Sequence, residues 1–189
     1  MLLGDAKTSS TQSDPSSLLA ILKAANDNFT YLGNPIHPKF LYEFRGWLSD
    51  GGPIIQEISV SAGTGTNQFS EIVQKDSSGA STEIDEAGNK INFRYVSLGA
   101  LSDGTHVLKT YYQPQNATGV FEDLVFVRFR VCPSVDLSEP QTEQLDLRVC
   151  GSYPLGDGDD ATITLGKDHV VVGVSKYRLH PITVAPRPN

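Results

Sequence analysis

The sequence predicts an all-β protein, an antiparallel β-sandwich with a short N-terminal helix ahead of it and extra strands at its C-terminal end. Three observations carry that expectation. Apolar side chains alternate with a period of two through most of the chain after Pro38. Tight-turn residues separate these runs at the spacing of a sandwich or barrel. Beyond about residue 30 no room remains for the repeated crossover helices that α/β folds require.

Taken in order, residues 1–13 are small and polar and are expected to form a flexible tail. Residues 14–30 hold a short helix and linker. Asp14 is placed to cap it, Pro15 suits its first position, and Leu18, Ile21, Leu22 and Ala25 recur at helical spacing. Asn26-Asp27-Asn28 is expected to end the helix. Residues 31–189 are assigned to the sandwich. Phe40, Tyr42 and Phe44 alternate with Leu41, Glu43 and Arg45, the Asp50-Gly51-Gly52-Pro53 turn follows, and residues 54–61 alternate again, which predicts a hairpin. Further strands are expected at 69–74, 91–98, 106–112, 121–132, 145–153, 161–165, 169–179 and 182–184. Turn residues at Asp76-Ser77-Ser78-Gly79, Glu86-Ala87-Gly88-Asn89, Asp103-Gly104 and Asn116-Ala117-Thr118-Gly119 punctuate them.

Two stretches carry a resemblance. Gly46-Trp47-Leu48-Ser49-Asp50 leads into the alternating run ending Ile58-Ser59-Val60, and Leu101-Ser102-Asp103-Gly104 launches the strand to Tyr112, followed by Gly119 and residues 124–130. Over residues 38–131 the chain resembles the bacterial immunoglobulin-like modules of secreted and surface proteins. The resemblance implies an Ig-like sandwich and a noncatalytic role in adhesion, assembly or ligand binding. It also implies an extracytoplasmic location: secreted, periplasmic or cell-surface. Residues 132–185 exceed a minimal seven-strand module and are expected to extend the same sandwich, since so short a piece would bury little surface alone.

Composition narrows the partners. A formal net charge of -7 with no offsetting Lys/Arg run speaks against nucleic acid and against an anionic membrane surface. No apolar run approaches the roughly 18 residues that span a bilayer, so no membrane insertion is expected. Met1-Leu2-Leu3-Gly4 is too short for the apolar core of a signal peptide. The expected partner is a protein or carbohydrate ligand.

Candidate chemistry is sparse. Cys132 and Cys150 each close an apolar-alternating segment, which suits a disulfide between two strands and suits two buried free thiols as well. Gly156-Asp157-Gly158-Asp159-Asp160, with Asp168, is the best calcium candidate, because flexible glycines let several hard oxygens converge. It lacks the spacing and closing Glu of an EF-hand. Should the protein instead be a metal-binding protein or an enzyme with a loop-built site, Asp157, Asp159, Asp160, His106 and His169 are the residues to inspect. His37, His106, His169 and His180 show no zinc spacing. Gly63-Thr64-Gly65-Thr66 lacks the Lys of a phosphate loop, and no Gly-x-Ser-x-Gly occurs. Asn28-Phe29-Thr30 and Asn116-Ala117-Thr118 match the glycosylation pattern. Tyr31, Tyr42, Trp47, Tyr111 and Tyr112 could build a sugar-stacking platform, but Tyr111 and Tyr112 must face opposite ways.

Overall fold

Runs of β-branched and aromatic residues between 79 and 157 build five long neighbouring strands, and the other described elements are arranged around them. The computed structural model describes residues 15–47, 55–60, 69, 71–77, 79–133 and 143–187. The elements are α1 (Pro15–Asn28), β1 (Thr30–Tyr31), β2 (Asn34–Pro35), α2 (Pro38–Glu43), a 3₁₀ turn (Phe44–Trp47), β3 (Glu57–Ser59), β4 (Gln74–Lys75), β5 (Gly79–Glu86), β6 (Asn89–Ala100), β7 (His106–Pro114), β8 (Phe121–Pro133), β9 (Glu143–Asp157), β10 (Ile163–Leu165), β11 (Val170–Val172) and β12 (Ile182–Val184). The described residues are mostly β, with one large antiparallel sheet and few helices.

The main sheet has seven strands in the order β3-β9-β8-β7-β6-β5-β4. From β4 to β9 each strand lies beside its neighbour in sequence, a meander closed at one edge by β3. Its first face carries Ile91, Phe93, Tyr95, Leu108, Val125, Val127, Leu145 and Leu147 and packs under α1 and α2. Its second face carries Val107, Leu124, Phe126 and Leu155, which meet Val170 and Val172 of a separate sheet ordered β10-β11-β12.

Several expected elements differ. Residues 40–44 are helical, not extended. Pro38 opens α2 and the Lys39 amide donates to His37 Nδ1 at 3.1 Å, so His37-Pro38 is a helix start. Phe40 and Phe44 share a face at a separation of four as readily as at two, and burial of Phe40, Leu41 and Phe44 selects the helix. The expected hairpin therefore does not form. β3 pairs with β9, Ile58 opposite Leu147. The helix α1 runs on through Asn28. Among the described residues of 69–75, only Gln74–Lys75 is strand. No strand is expected between the turns at 76–79 and 86–89, but residues 79–86 form β5. Of 169–179, only Val170–Val172 is strand, because Ser175 and Arg178 close a turn on each other. The tail at 1–13, Asp14, the 50–53 turn, Gly63-Thr64-Gly65-Thr66 and the Trp47 ring lie outside the described residues.

An aromatic cluster ties the helical layer to the sheet. Phe29 follows α1 with φ at 52°, its amide donating to the Ala25 carbonyl at 2.8 Å. That left-handed backbone costs on the order of 1 kcal/mol in a residue with a Cβ. The ring offsets it by burying against Tyr95 at 5.4 Å, His106 at 5.0 Å and Phe129 at 5.6 Å between centroids.

His106 is 3% exposed and its Nε2 meets no hydrogen-bond partner among the described residues. Burial lowers its pKa to about 4, against about 6.5 for a solvated imidazole. Above both values the residue is neutral in either state. As pH falls between them the unfolded chain gains a proton that the folded chain refuses, so stability drops by about 3 kcal/mol. Urea unfolding near pH 7 and near pH 4 should show the variant His106→Leu losing less stability than the parent by that amount. Equal losses would mean that His106 is not held neutral in the core.

Candidate functional site

Where the small sheet stops, the second face of the main sheet turns polar. Ser81 on β5, Arg94 on β6, Tyr111 on β7 and Glu122 on β8 stand in one cross-strand row. The next row is Glu83, Asn92 and Gln113. Of these, Ser81, Glu83, Asn92, Arg94, Tyr111 and Gln113, with Gln74 on β4, line an open groove of about 410 Å³, while Glu122 is buried.

Its charges are matched in pairs. Lys90 meets Glu83 at 2.6 Å, Arg94 meets Asp76 at 2.8 Å and Lys109 meets Glu122 at 2.8 Å. The hydrogen bond from Lys90 holds the Glu83 carboxyl below the usual range and the Lys90 ammonium above its own. Two cations flank the Tyr111 ring, Lys109 Nζ at 5.1 Å and the Arg94 guanidinium at 5.5 Å from its centroid. The groove thus offers one half-exposed aromatic ring, two exposed primary amides at Asn92 and Gln113, a hydroxyl at Ser81, and planar charged groups that compensate one another. Such a surface suits a neutral, polar ligand with many hydroxyls better than an ion.

A second cleft, about 610 Å³, opens beside the end of α1 and is lined by Asn28, Phe29, Gly33, Lys75, Asp76 and Tyr95 among others. Gly79 also lines it, and there a Cβ would collide with the Tyr95 carbonyl oxygen. That cleft places Asn28 of the first glycosylation pattern at a helix end, while Asn116 of the second sits on the exposed β7–β8 turn.

The sequence-predicted residues fare unevenly. Cys132 and Cys150 do not bridge; both thiols are free. They lie on neighbouring β8 and β9, but Cys132 stands opposite Gln144, whereas Cys150 sits at the bulge beside Val127. That separation is ~16 Å along the ladder, and a disulfide needs Cα atoms within ~7 Å. Burial raises both thiol pKa values.

The acidic loop does not gather its carboxylates either. Asp157 accepts from the Val120 amide at 2.8 Å. Asp159 accepts from the Ala161 amide at 2.9 Å and from Arg178 Nη1 at 3.1 Å. Asp160 points to solvent, and Asp168 pairs with His169 at 2.8 Å. His106 lies on the helical side of the sheet, away from all of them. Tyr112 faces the helical layer, its ring 3.7 Å from the Arg45 guanidinium and stacked on Tyr42, whereas Tyr111 faces the groove. The sugar platform therefore keeps one tyrosine. Among the described residues no helix is long and apolar enough to cross a membrane.

The chain matches no family model, no curated protein and no solved structure.

Asp159 has a buried side chain. Burial alone would raise its pKa, but hydrogen bonds from Ser175, the Ala161 amide and Arg178 outweigh it and hold the carboxyl low. Arg178→Leu strands that carboxylate and should cost about 3 kcal/mol in chemical denaturation. Asp160→Asn, at an exposed position, should stay within about 0.5 kcal/mol. Calcium should leave the melting temperature unchanged; a rise that Asp160→Asn removes would restore the loop as a calcium site.

Proposed function

We propose that this protein is a noncatalytic binding module that works outside the cytoplasm, and that its groove over Tyr111 takes a carbohydrate. The observation that carries this reading is the composition of the two groove rows. An aromatic ring for the apolar face of a sugar, amides and a hydroxyl for its hydroxyl groups, and internally paired charges form a surface that recognises polyhydroxylated, uncharged chains.

The groove is open. It is built on regular strands, so its side chains are positioned by the sheet and need no loop ordering on binding. Its length across β4 to β7 suits a few linked residues of an extended chain better than a deeply enclosed small molecule. The packing of the small sheet across Phe126 and Leu124 supports the sandwich half of the Ig-like expectation. The sequential meander differs from the crossed-over strand order of immunoglobulin domains, and the module is better described by its own topology.

A glycan array followed by calorimetry tests the assignment. The parent protein should bind at least one class of neutral oligosaccharide, and Tyr111→Ala should weaken it about tenfold, the effect of losing roughly 1.4 kcal/mol of ring contact. Asn92→Ala should weaken it similarly, and neither variant should unfold, since both side chains lie on the open face. An array without a hit, or Tyr111→Ala binding as the parent does, would sink the reading.

A further inference from the structure

The strongest unassigned grouping lies at the opposite end of the second face, where β3 joins the sheet. Glu57 on β3, Cys132 on β8 and Asp146 on β9 each bring one potential ligand atom within 4.8 Å of the others. Cys132 Sγ lies 3.8 Å from Glu57 Oε1. Asp146 is 6% exposed, and its Oδ1 is buried with no hydrogen-bond partner among the described residues. An orphaned carboxylate oxygen at that depth is unfavourable unless something positive meets it.

Arg130 is the charged neighbour of the group. It stands opposite Asp146 in the ladder and reaches Glu57 Oε1 at 3.6 Å, a long, partly exposed contact. Arg148, opposite Glu57, supplies a second cation nearby. Neither donates to Asp146 Oδ1. The guanidinium therefore balances part of the charge without satisfying the buried oxygen.

We propose that Glu57, Cys132 and Asp146 bind a divalent transition-metal cation of the zinc type. One sulfur and two carboxylate oxygens match the donor set of a borderline-soft ion and not that of calcium or magnesium, which favour all-oxygen shells. Bonds of about 2.3 Å to sulfur and about 2.0 Å to oxygen in a tetrahedral shell set the ligand atoms about 3.5 Å apart. The observed 3.8 Å between Sγ and Oε1 is within a small side-chain adjustment of that value.

On binding, the Cys132 Sγ–H bond breaks, its proton passes to solvent, and the sulfur electron pair forms the bond to the metal. Three protein ligands leave a fourth position for water. The ion cross-links three adjacent strands. Its role is structural, holding the three-residue β3 onto the sheet edge.

Cobalt titration of the chelator-treated, reduced chain provides the test, since a cobalt–thiolate bond absorbs in the near ultraviolet and reports sulfur ligation directly. The parent should show this band saturating at one ion per chain, and zinc should displace the cobalt and raise the melting temperature. Cys132→Ser should abolish the band, while Cys150→Ser should keep it. Glu57→Gln, at the exposed edge, should weaken binding by about tenfold or more, since even removal of groups behind metal ligands costs about that much. No band in the parent, a band that survives Cys132→Ser, or unchanged affinity in Glu57→Gln would overturn the proposal. Should Cys132→Ser fail to fold, the Glu57→Gln affinity decides. Glycan binding at Tyr111 is unaffected by any of these outcomes.

Discussion

Strand β8 has apolar residues on both of its faces, and that constraint organises the molecule. Val125, Val127 and Phe129 point one way and Leu124 and Phe126 the other, all buried. At roughly 2 kcal/mol for each large apolar side chain removed from water, neither face can be left wet. One layer of helices covers the first set and the β10-β11-β12 sheet covers the second. Toward β5, around Ser81, Arg94 and Tyr111, the second face loses its apolar residues, and the covering layer stops with them. The groove over Tyr111 is the part of the sheet that hydrophobic burial does not claim.

The fold was legible where alternation was strong. β6, β7, β8, β9 and β12 stand where the twofold period places them, because Val, Ile, Phe and Tyr fit a half-buried pleated surface and little else. Two failures have specific causes. Phe40, Tyr42 and Phe44 satisfy the strand period and the helix period together, and the cap by His37 decides between them. β5 went unseen because Gly79-Ala80-Ser81-Thr82-Glu83 contains no bulky residue; its inward Ala80 and Thr82 are small because Tyr95 and Phe93 fill the space opposite.

The sites were less legible than the fold, for a geometric reason. Each groove row combines residues from several strands, and only register reveals that Ser81, Arg94 and Tyr111 are neighbours. The alternation of Asn92 with Phe93 and of Tyr111 with Tyr112 was visible, and it correctly split the two tyrosines. Glu57, Cys132 and Asp146 lie far apart in sequence and meet through β3, an edge strand of three residues whose partner no local pattern announces. The acidic loop has the composition of a calcium site, yet Asp157 and Asp159 are engaged by Val120, Ala161 and Arg178.

The layer that shields Phe126 comes from residues 163–184, well downstream of the strands it covers. During synthesis β8 therefore emerges and pairs while one side of it still lacks its lid. For that interval the nascent chain presents a greasy strip to its surroundings, the circumstance in which holdase chaperones engage a client and crowded ribosomes seed aggregates. Substitutions that delay docking of Val170 and Val172 would then reduce yield in the cell more than they reduce the stability of the finished protein.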